Sequence, residues 1–347
     1  MNPLIFSILL LSLGLGTTVT FMSSHWLLAW MGLEINTLAI IPLMAQHHHP
    51  RSIEASTKYF IIQAAAAAMI MFAGTTNAWL TGQWSLDQLT HPVPSTIMTM
   101  ALALKIGLAP LHTWLPEVLQ GLDLTTGMIL STWQKLAPFA LLMQTNNQNT
   151  TIILSMALLS TLVGGWGGLN QTQLRKILAY SSIAHLGWMV LVIQYSTSMT
   201  LVALMTYIVM TLSAFNLFKI NKATSISMLT NSWSKSPVLT TLTPLIMLSL
   251  AGLPPLTGFM PKWMILAEMT KQDLPLIATI AALSALLSLY FYLRLSYAMA
   301  LTASPNNTSG TAQWRLKTQQ KTLILSASTI MSLTLLPITP AILSLAS

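Results

Sequence analysis

Long apolar segments follow one another along the chain and are separated by short polar stretches. A helix needs about 20 predominantly apolar residues to cross the hydrocarbon core of a bilayer. A window of that length predicts eleven transmembrane helices. They lie at 3–22, 25–45, 56–80, 96–119, 125–144, 150–168, 174–194, 198–220, 238–268, 275–299 and 322–345. We therefore predict an all-α polytopic membrane protein, in which the ninth segment can be counted as two because GLPPLTGFMP interrupts it.

The distribution of basic residues between the loops supports this number of spans. If the helices alternate in direction, Lys271 is the only basic residue in the loops on the side opposite to the N-terminus. The basic residues assigned to the N-terminal side are Arg51, Lys58, Arg175, Lys176, Lys219, Lys222, Lys235, Arg315, Lys317 and Lys321, with Arg294 near the same end of the tenth helix. Loops that face the cytoplasm or the mitochondrial matrix are enriched in Lys and Arg. We therefore expect the N-terminus on that side and the C-terminus on the other.

Composition narrows the class of function. Hydrophobic residues make up 54% of the 347 residues and charged residues only 6%, against about 25% charged in soluble domains. The net charge is +8, but the fifteen basic residues are scattered and form no cationic face, which argues against nucleic acid as a partner. The sequence contains no cysteine, so disulfides, cysteine-ligated zinc and cysteine-held iron–sulfur clusters are excluded. We therefore expect no redox centre in this chain.

The N-terminal sequence MNPLIFSILLLSLGLG has neither the positive start of a signal peptide nor the arginine-rich pattern of a transit peptide. We therefore expect this first apolar run to remain in the protein as its first helix.

Two similar stretches interrupt the fourth and the ninth predicted helices. GLAPLHTWLP at 107–116 and GLPPLTGFMP at 252–261 lie 145 residues apart. The identical pairs are Gly107/Gly252, Leu108/Leu253, Pro110/Pro255, Leu111/Leu256 and Pro116/Pro261. Proline removes a backbone donor and clashes with the preceding turn, so both helices should break and expose backbone groups that need protein or water around them. The alternative is that these residues only kink packed helices.

The offset of five helices between the two stretches is odd, so the second copy should run through the membrane in the opposite direction. This is the pattern of an inverted-topology repeat. It predicts one integral membrane domain, in which 1–147 is a first five-helix repeat, 148–300 a second, inverted repeat, and 301–347 a loop and a C-terminal helix.

Charged residues inside the predicted spans are candidates for chemistry. They are Glu34, Lys105, Lys135 and Lys262. Each costs about 2.5 to 3.5 kcal/mol at the bilayer centre, so it needs compensation. Glu34 is expected to pair with one of the lysines, with Lys105 as the favoured partner, since removing either member would leave an uncompensated buried charge. Desolvation and pairing shift the pKa of a buried lysine in opposite directions. These side chains could therefore take up and release protons through intervening water.

Histidines are the other titratable side chains. His112 lies seven residues after Lys105, and His185 lies in the middle of the seventh helix; each could connect the charged sites or could be a packed, hydrogen-bonded side chain. His47, His48 and His49 are better explained as solvated loop residues than as a metal site, because the nearest carboxylate is Glu54. We find no GxSxG, P-loop or GxGxxG motif.

Three motifs together resemble a known family. KIGLAPLHTWLPE, LRKILAYSSIAHLGW (174–188) and AGLPPLTGFMPKW (251–263) are similar to motifs of the antiporter-like membrane subunits of proton-pumping NADH:ubiquinone oxidoreductase, respiratory complex I. The resemblance extends over nearly the whole chain. It implies two inverted five-helix repeats, each with a broken fourth helix, followed by peripheral helices. Bacterial members carry three additional N-terminal helices, and this chain starts without them.

The resemblance also implies roles for individual residues. Glu34 would pair with Lys105 on the first broken helix, and Lys135 would be the central protonation site. Lys262 would be the lysine of the second repeat, while His112 and His185 would help to connect these sites through water.

The same resemblance implies a setting for the chain. It would lie in the mitochondrial inner membrane, with its N-terminus on the matrix side and its C-terminus on the intermembrane-space side. Its partners would be other membrane subunits of complex I and lipid, with cardiolipin as a candidate. NADH, FMN, iron–sulfur clusters and ubiquinone would be used by other parts of the complex, and this chain would hold no cofactor or metal.

Two other functions stay open on the sequence alone. One is a stand-alone secondary cation/proton antiporter, a class that also uses inverted repeats. The other is a structural membrane scaffold, in which the buried charges only fix helix packing.

Overall fold

Helices form the regular secondary structure of the part of the chain that the structure describes. The structure is a computed structural model, and it describes residues 3–46, 48–86, 88–89, 91–145, 150–234, 237–302 and 322–346. The α-helices in these ranges are α1 (Pro3–Met22), α2 (Trp26–Met44), α3 (Pro50–Thr81), α4 (Pro92–Ile106), α5 (Trp114–Gly121), α6 (Leu124–Gln144), α7 (Thr150–Gly168), α8 (Leu174–Val192), α9 (Thr197–Asn221), α10 (Ile226–Thr230), α11 (Pro237–Ala251), α12 (Phe259–Lys271), α13 (Pro275–Leu301), α14 (Leu323–Thr334) and α15 (Thr339–Ala346). The expected all-α class is confirmed.

Several of these helices have the length and composition of membrane spans. Within the described residues, six helices are long and apolar enough to cross a bilayer, namely α1, α2, α3, α7, α9 and α13. The outer faces are apolar as well: in α1, for example, Leu4, Ile8, Leu11 and Leu15 are all exposed. A surface of this kind is stable against lipid and not against water. The chain is therefore a polytopic membrane protein.

Each predicted segment coincides with one helix or with two consecutive helices. The fourth predicted segment corresponds to α4 and α5, and the ninth to α11 and α12. α3 begins at Pro50, six residues before the predicted start, because proline is well suited to the first turn of a helix and His49 caps it.

The C-terminal helix predicted at 322–345 is wrong as a single element. A 3₁₀ turn at Leu336–Ile338 separates α14 from α15. Pro337 lies in this turn, and since proline has no backbone N–H it cannot continue the hydrogen bonding of α14.

The chain divides into two compact units, Met1–Leu159 and Ser160–Ser347. In the first unit, α2 packs against α1, α3 and α6, and α3 packs against α4 and α5. The contact between α1 and α2 is close because it is formed by glycines: a Cβ atom on Gly16 would lie 2.9 Å from the carbonyl oxygen of Gly32. In the second unit, α9 packs against α8, α11, α12, α14 and α15, and α13 packs against α11 and α12.

Candidate functional site

The first break in a helix lies between α4 and α5. α4 ends at Ile106, and Gly107 follows with φ of 86°. Glycine is the residue that adopts this left-handed conformation without steric cost. The chain then runs without helical structure to Trp114, where α5 begins, and the peptide bond before Pro110 is cis.

Side chains from neighbouring helices bind carbonyl oxygens in the last turn of α4, which have no partner within the helix. The indole Nε1 of Trp114 donates to the carbonyl oxygen of Leu104 at 3.1 Å. The amide Nε2 of Gln63, on α3, donates to the carbonyl oxygen of Lys105 at 3.5 Å. A helix end leaves such carbonyls unpaired, and inside a membrane they need a partner within the protein. α3 and α5 therefore stabilise the end of α4.

Lys105 is buried in the last turn of α4. Its side chain is 6% exposed, and among the described residues its ammonium has no hydrogen-bond partner. Glu34, half-buried on α2, attracts this ammonium electrostatically. The structure holds no hydrogen bond between these two described side chains, and Oε2 of Glu34 is also buried without a partner there. The C-terminal end of α4, where the helix dipole is negative, adds to the stabilisation of the ammonium.

Lys105 and Lys135 line the same cavity. Lys135 lies on α6 and is 3% exposed. The cavity has a volume of about 20 Å³, enough for one water molecule, which needs roughly 10–15 Å³ by this measure. The other polar residues of its wall are Asn36, Thr37, Tyr59, Gln63, Trp114 and Gln134. The first unit thus brings two of the predicted lysines together around a space that can hold water.

The second break repeats the backbone pattern of the first. α11 ends at Ala251, Gly252 follows with φ of 79°, and α12 begins at Phe259. These three residues lie 145 positions after Ile106, Gly107 and Trp114. The peptide bond before Pro255 is cis.

In the second unit, Lys262 and His185 bind the end of α11. Nζ of Lys262, a half-buried residue, donates to the carbonyl oxygen of Ala251 at 2.7 Å. His185, buried on α8, places Nε2 3.2 Å from the carbonyl oxygen of Leu250 and Nδ1 2.7 Å from that of Ser181. An imidazole donates from both nitrogens only when it is protonated on both. Lys262 and His185 also line one cavity of about 20 Å³.

The two lysines at the breaks do not occupy equivalent positions. The residue 145 positions after Lys105 is Leu250, and the residue 145 positions before Lys262 is Glu117. Glu117 is exposed and pairs with Lys58 at 3.0 Å. Lys105 belongs to the last turn of α4, whereas Lys262 reaches the end of α11 from α12. Lys105 is thus part of the helix end itself, whereas the ammonium of Lys262 binds the end of α11 from the following helix.

His112 lies in the first break and does not line the cavity shared by Lys105 and Lys135. It is half-buried, and its Nδ1 lies 3.3 Å from the carbonyl oxygen of Pro110. Its connecting role stays a prediction.

The histidine cluster before α3 is only partly described. His47 lies outside the described residues, as do the loop residues Lys235, Arg315, Lys317 and Lys321. Nδ1 of His49 accepts a hydrogen bond of 3.3 Å from the backbone N–H of Arg51, so this side chain caps α3. Over the described ranges, no three His, Cys, Asp or Glu side chains lie close enough to hold a metal ion.

Three uncharged polar residues of the first cavity were not among the predicted site residues, which were all charged side chains or histidines. They are Asn36, Gln63 and Gln134, all within predicted membrane helices. A buried amide is also costly in an apolar environment unless it has partners, so an amide within a predicted span is a signal that could have indicated them.

Matches to known proteins extend over nearly the whole chain. Residues 23–288 match the family described as NADH:quinone oxidoreductase/Mrp antiporter, and residues 289–343 match the family described as NADH dehydrogenase subunit 2 C-terminus. The chain is 68% identical over 345 residues to NADH-ubiquinone oxidoreductase chain 2 of Tetraodon nigroviridis, covering 99% of each chain. It is 68% identical over 347 residues to the chain 2 protein of Gadus morhua, covering 100% of each.

A solved structure is also similar. A chain of respiratory complex I from Thermus thermophilus with bound aureothin superposes with a TM-score of 0.86 at 27% sequence identity. The superposition covers 99% of this chain and 80% of the Thermus chain.

Proposed function

The chain belongs to the NADH-ubiquinone oxidoreductase chain 2 family, also called NADH dehydrogenase subunit 2, and on that premise we propose that it is a proton-translocating membrane subunit of respiratory complex I. In this function the subunit contributes to NADH:ubiquinone reduction coupled to proton transport and carries out no redox step itself. The observation that carries the proposal is that Lys105 and Lys135 line one buried cavity that can hold water. Two amines in such an arrangement can exchange a proton through a water molecule.

The charged residues then have distinct tasks. Lys135 is the central protonation site, and Lys105 exchanges protons with it. The carboxylate of Glu34 attracts the ammonium of Lys105, so a change in charge near Glu34 alters how firmly Lys105 holds its proton. Lys262 is the corresponding protonation site of the second unit, with His185 beside it in the same cavity. His112 and His185 help to connect the charged sites through water.

The repeat architecture is part of the proposal. We take 1–147 and 148–300 as inverted five-helix repeats and count eleven spans, with α4 and α5 as one span and α11 and α12 as another. Support comes from the equal spacing of both broken helices, whose first halves end, and whose second halves begin, 145 residues apart. We take α14 and α15 together as the last span.

The setting follows from the same premise. We place the chain in the mitochondrial inner membrane with its N-terminus in the matrix and its C-terminus in the intermembrane space, in agreement with the basic loop residues. Its partners are other membrane subunits of complex I and lipid, cardiolipin included. NADH, FMN, iron–sulfur clusters and ubiquinone act in other parts of the complex.

Replacement of the central lysine tests the proposal. In complex I assembled with Lys135→Met and reconstituted into liposomes, we expect fewer protons pumped per electron than in the unmodified complex. Loss of a positioned proton-transfer group slows the step by about 10²- to 10⁴-fold. Lys271→Met is the matched control, because the Lys271 side chain is 69% exposed and should leave pumping unchanged. Normal proton-to-electron stoichiometry in Lys135→Met would refute the proposed function as stated, because Lys135 is its central protonation site.

A stand-alone cation/proton antiporter is a weaker alternative, since the full-length identity is to chain 2 proteins of complex I. The isolated chain in liposomes decides between them. We expect no cation/proton exchange from it, whereas a stand-alone antiporter would exchange ions without other subunits.

A further inference from the structure

Asn36 is a buried amide for which the proposed function so far gives no role. It lies on α2, two residues after Glu34, and is 2% exposed. Neither Oδ1 nor Nδ2 of its side chain has a hydrogen-bond partner among the described residues. A buried amide without partners is strongly destabilising, and native proteins seldom keep one without a reason.

Asn36 lies between two neighbouring helices. On one side α1 approaches so closely that a Cβ atom on Gly16 would lie 2.4 Å from Oδ1 of Asn36. On α6, Nε2 of Gln134 donates to the backbone carbonyl oxygen of Asn36 at 3.2 Å. Gln134 directly precedes Lys135, so this hydrogen bond also sets the position of Lys135 relative to Asn36.

Asn36 lines the cavity that Lys105 and Lys135 share. The volume of about 20 Å³ suits a single water molecule, which is held in protein interiors by roughly 2–4 polar partners. The side-chain amide of Asn36 offers one acceptor and two donors. The ammonium of Lys105 offers further donors, and it too has no partner among the described side chains and backbone groups.

We propose that Asn36 is a positioning residue that holds, together with Lys105, a water molecule in this cavity, and that this water carries the proton between Lys105 and Lys135. The inference rests on the proposed function. In the step, the ammonium of one lysine gives a proton to the water while the water gives one of its protons to the neutral amine of the other lysine. The products are one neutral amine, one ammonium and an unchanged water. The amide orients the water by accepting and donating hydrogen bonds and does not itself change protonation.

Two substitutions of Asn36 distinguish this role from simple packing. Leu has the same branched skeleton as Asn, with methyl groups in place of the amide oxygen and nitrogen, so Asn36→Leu fills the site and removes its polar groups. Asn36→Ala leaves space that additional water can enter. In reconstituted complex I we expect Asn36→Leu to lose proton pumping per electron and Asn36→Ala to retain more of it. If Asn36 served packing alone, the order would be reversed, because Ala leaves the larger void; pumping in Asn36→Ala equal to or below that in Asn36→Leu overturns the inference.

Thr99→Val is the matched control, because Thr99 is a buried hydroxyl residue of α4 that does not line this cavity. Its hydroxyl donates to the carbonyl oxygen of Thr96 at 2.9 Å, and we expect normal pumping from Thr99→Val. Loss of pumping in Thr99→Val equal to that in Asn36→Leu would mean that the loss does not depend on the cavity, and would overturn the specific role of Asn36.

A density map of the unmodified complex that resolves ordered water gives an independent readout, and it decides the question if neither Asn36 variant assembles. We expect a water within hydrogen-bonding distance of the Asn36 amide and Lys105 Nζ; a cavity without one overturns the inference. The two proposals fail separately. Normal pumping in Lys135→Met defeats the proposed function, whereas normal pumping in Asn36→Leu beside impaired pumping in Lys135→Met defeats only the role of Asn36.

Discussion

Nζ of Lys262 donates a 2.7 Å hydrogen bond to the carbonyl oxygen of Ala251, the last residue of α11. The lysine therefore has a structural partner at the broken helix in addition to its proposed protonation role. An ammonium near the C-terminal end of a helix is stabilised by the helix dipole. Loss of the charge of Lys262 should affect proton pumping, whereas loss of its hydrogen bond should affect the stability of the assembled complex.

Substitutions at Lys262 separate these two effects. Lys262→Met removes both, and the unpaired carbonyl of Ala251 should cost about 1–3 kcal/mol, seen as less assembled complex after mild heating. Lys262→Gln keeps a donor near the helix end but cannot carry a proton. We expect it to assemble better than Lys262→Met and to pump equally poorly. Lys262→Gln with normal protons per electron would contradict a protonation role for this residue.

Glu34→Gln removes a charge while preserving the shape of the side chain. Since Oε2 of Glu34 has no hydrogen-bond partner among the described residues, the substitution breaks no bond at that atom, and we expect normal assembly. The attraction to Lys105 is lost, so pumping per electron should fall. Glu54→Gln is the control: the pair of Glu54 with Lys58 is exposed and screened by solvent, so its loss should not affect pumping. Equal pumping in the two variants would count against the role of Glu34.

The glycines that start the two breaks should not tolerate a side chain. Gly107→Ala and Gly252→Ala each place a Cβ atom in the left-handed region, at a cost of about 1–2 kcal/mol. At Gly252 the new Cβ would also lie 2.9 Å from Cδ of Lys262, so this variant should lose pumping as well as stability. Gly14→Ala in α1 has no heavy atom within 4 Å of the new Cβ. Thermal inactivation of the assembled complex should be faster for the first two variants and unchanged for Gly14→Ala.

The helices and their breaks could be predicted because each depends on local properties of the chain. The length of the apolar segments determines where helices form in a membrane protein, and Gly107 and Gly252 with the prolines after them determine where two of these helices stop. Pro337 is a local signal of the same kind. It lies within the last apolar segment and marks the point where that segment divides into α14 and α15.

The contacts within the site could not be predicted in the same way. Helices that are apolar on all faces carry little information about which face meets which neighbour. Polarity therefore identified Lys105 and Lys135 as buried, but not the binding of the Lys105 carbonyl by Gln63 or the approach of Asn36 to the same cavity. The relation of Glu34 to Lys105, an attraction without a hydrogen bond, likewise depends on side-chain geometry that spacing along the chain does not determine.

The contact of Gly16 with Asn36 has a consequence for inherited variation in this chain. Much of α1 is exposed on the surface of this chain, so a change from glycine to alanine there would ordinarily be classed as conservative. At Gly16 the added methyl group would overlap the Asn36 amide and the backbone of Gly32, and α1 and α2 would have to separate. A carrier of such a variant would have a subunit in which every titratable residue is intact but the packing of α1 against α2 is altered. The harm from a substitution at this position therefore depends more on the neighbouring helix than on how many atoms the new side chain adds.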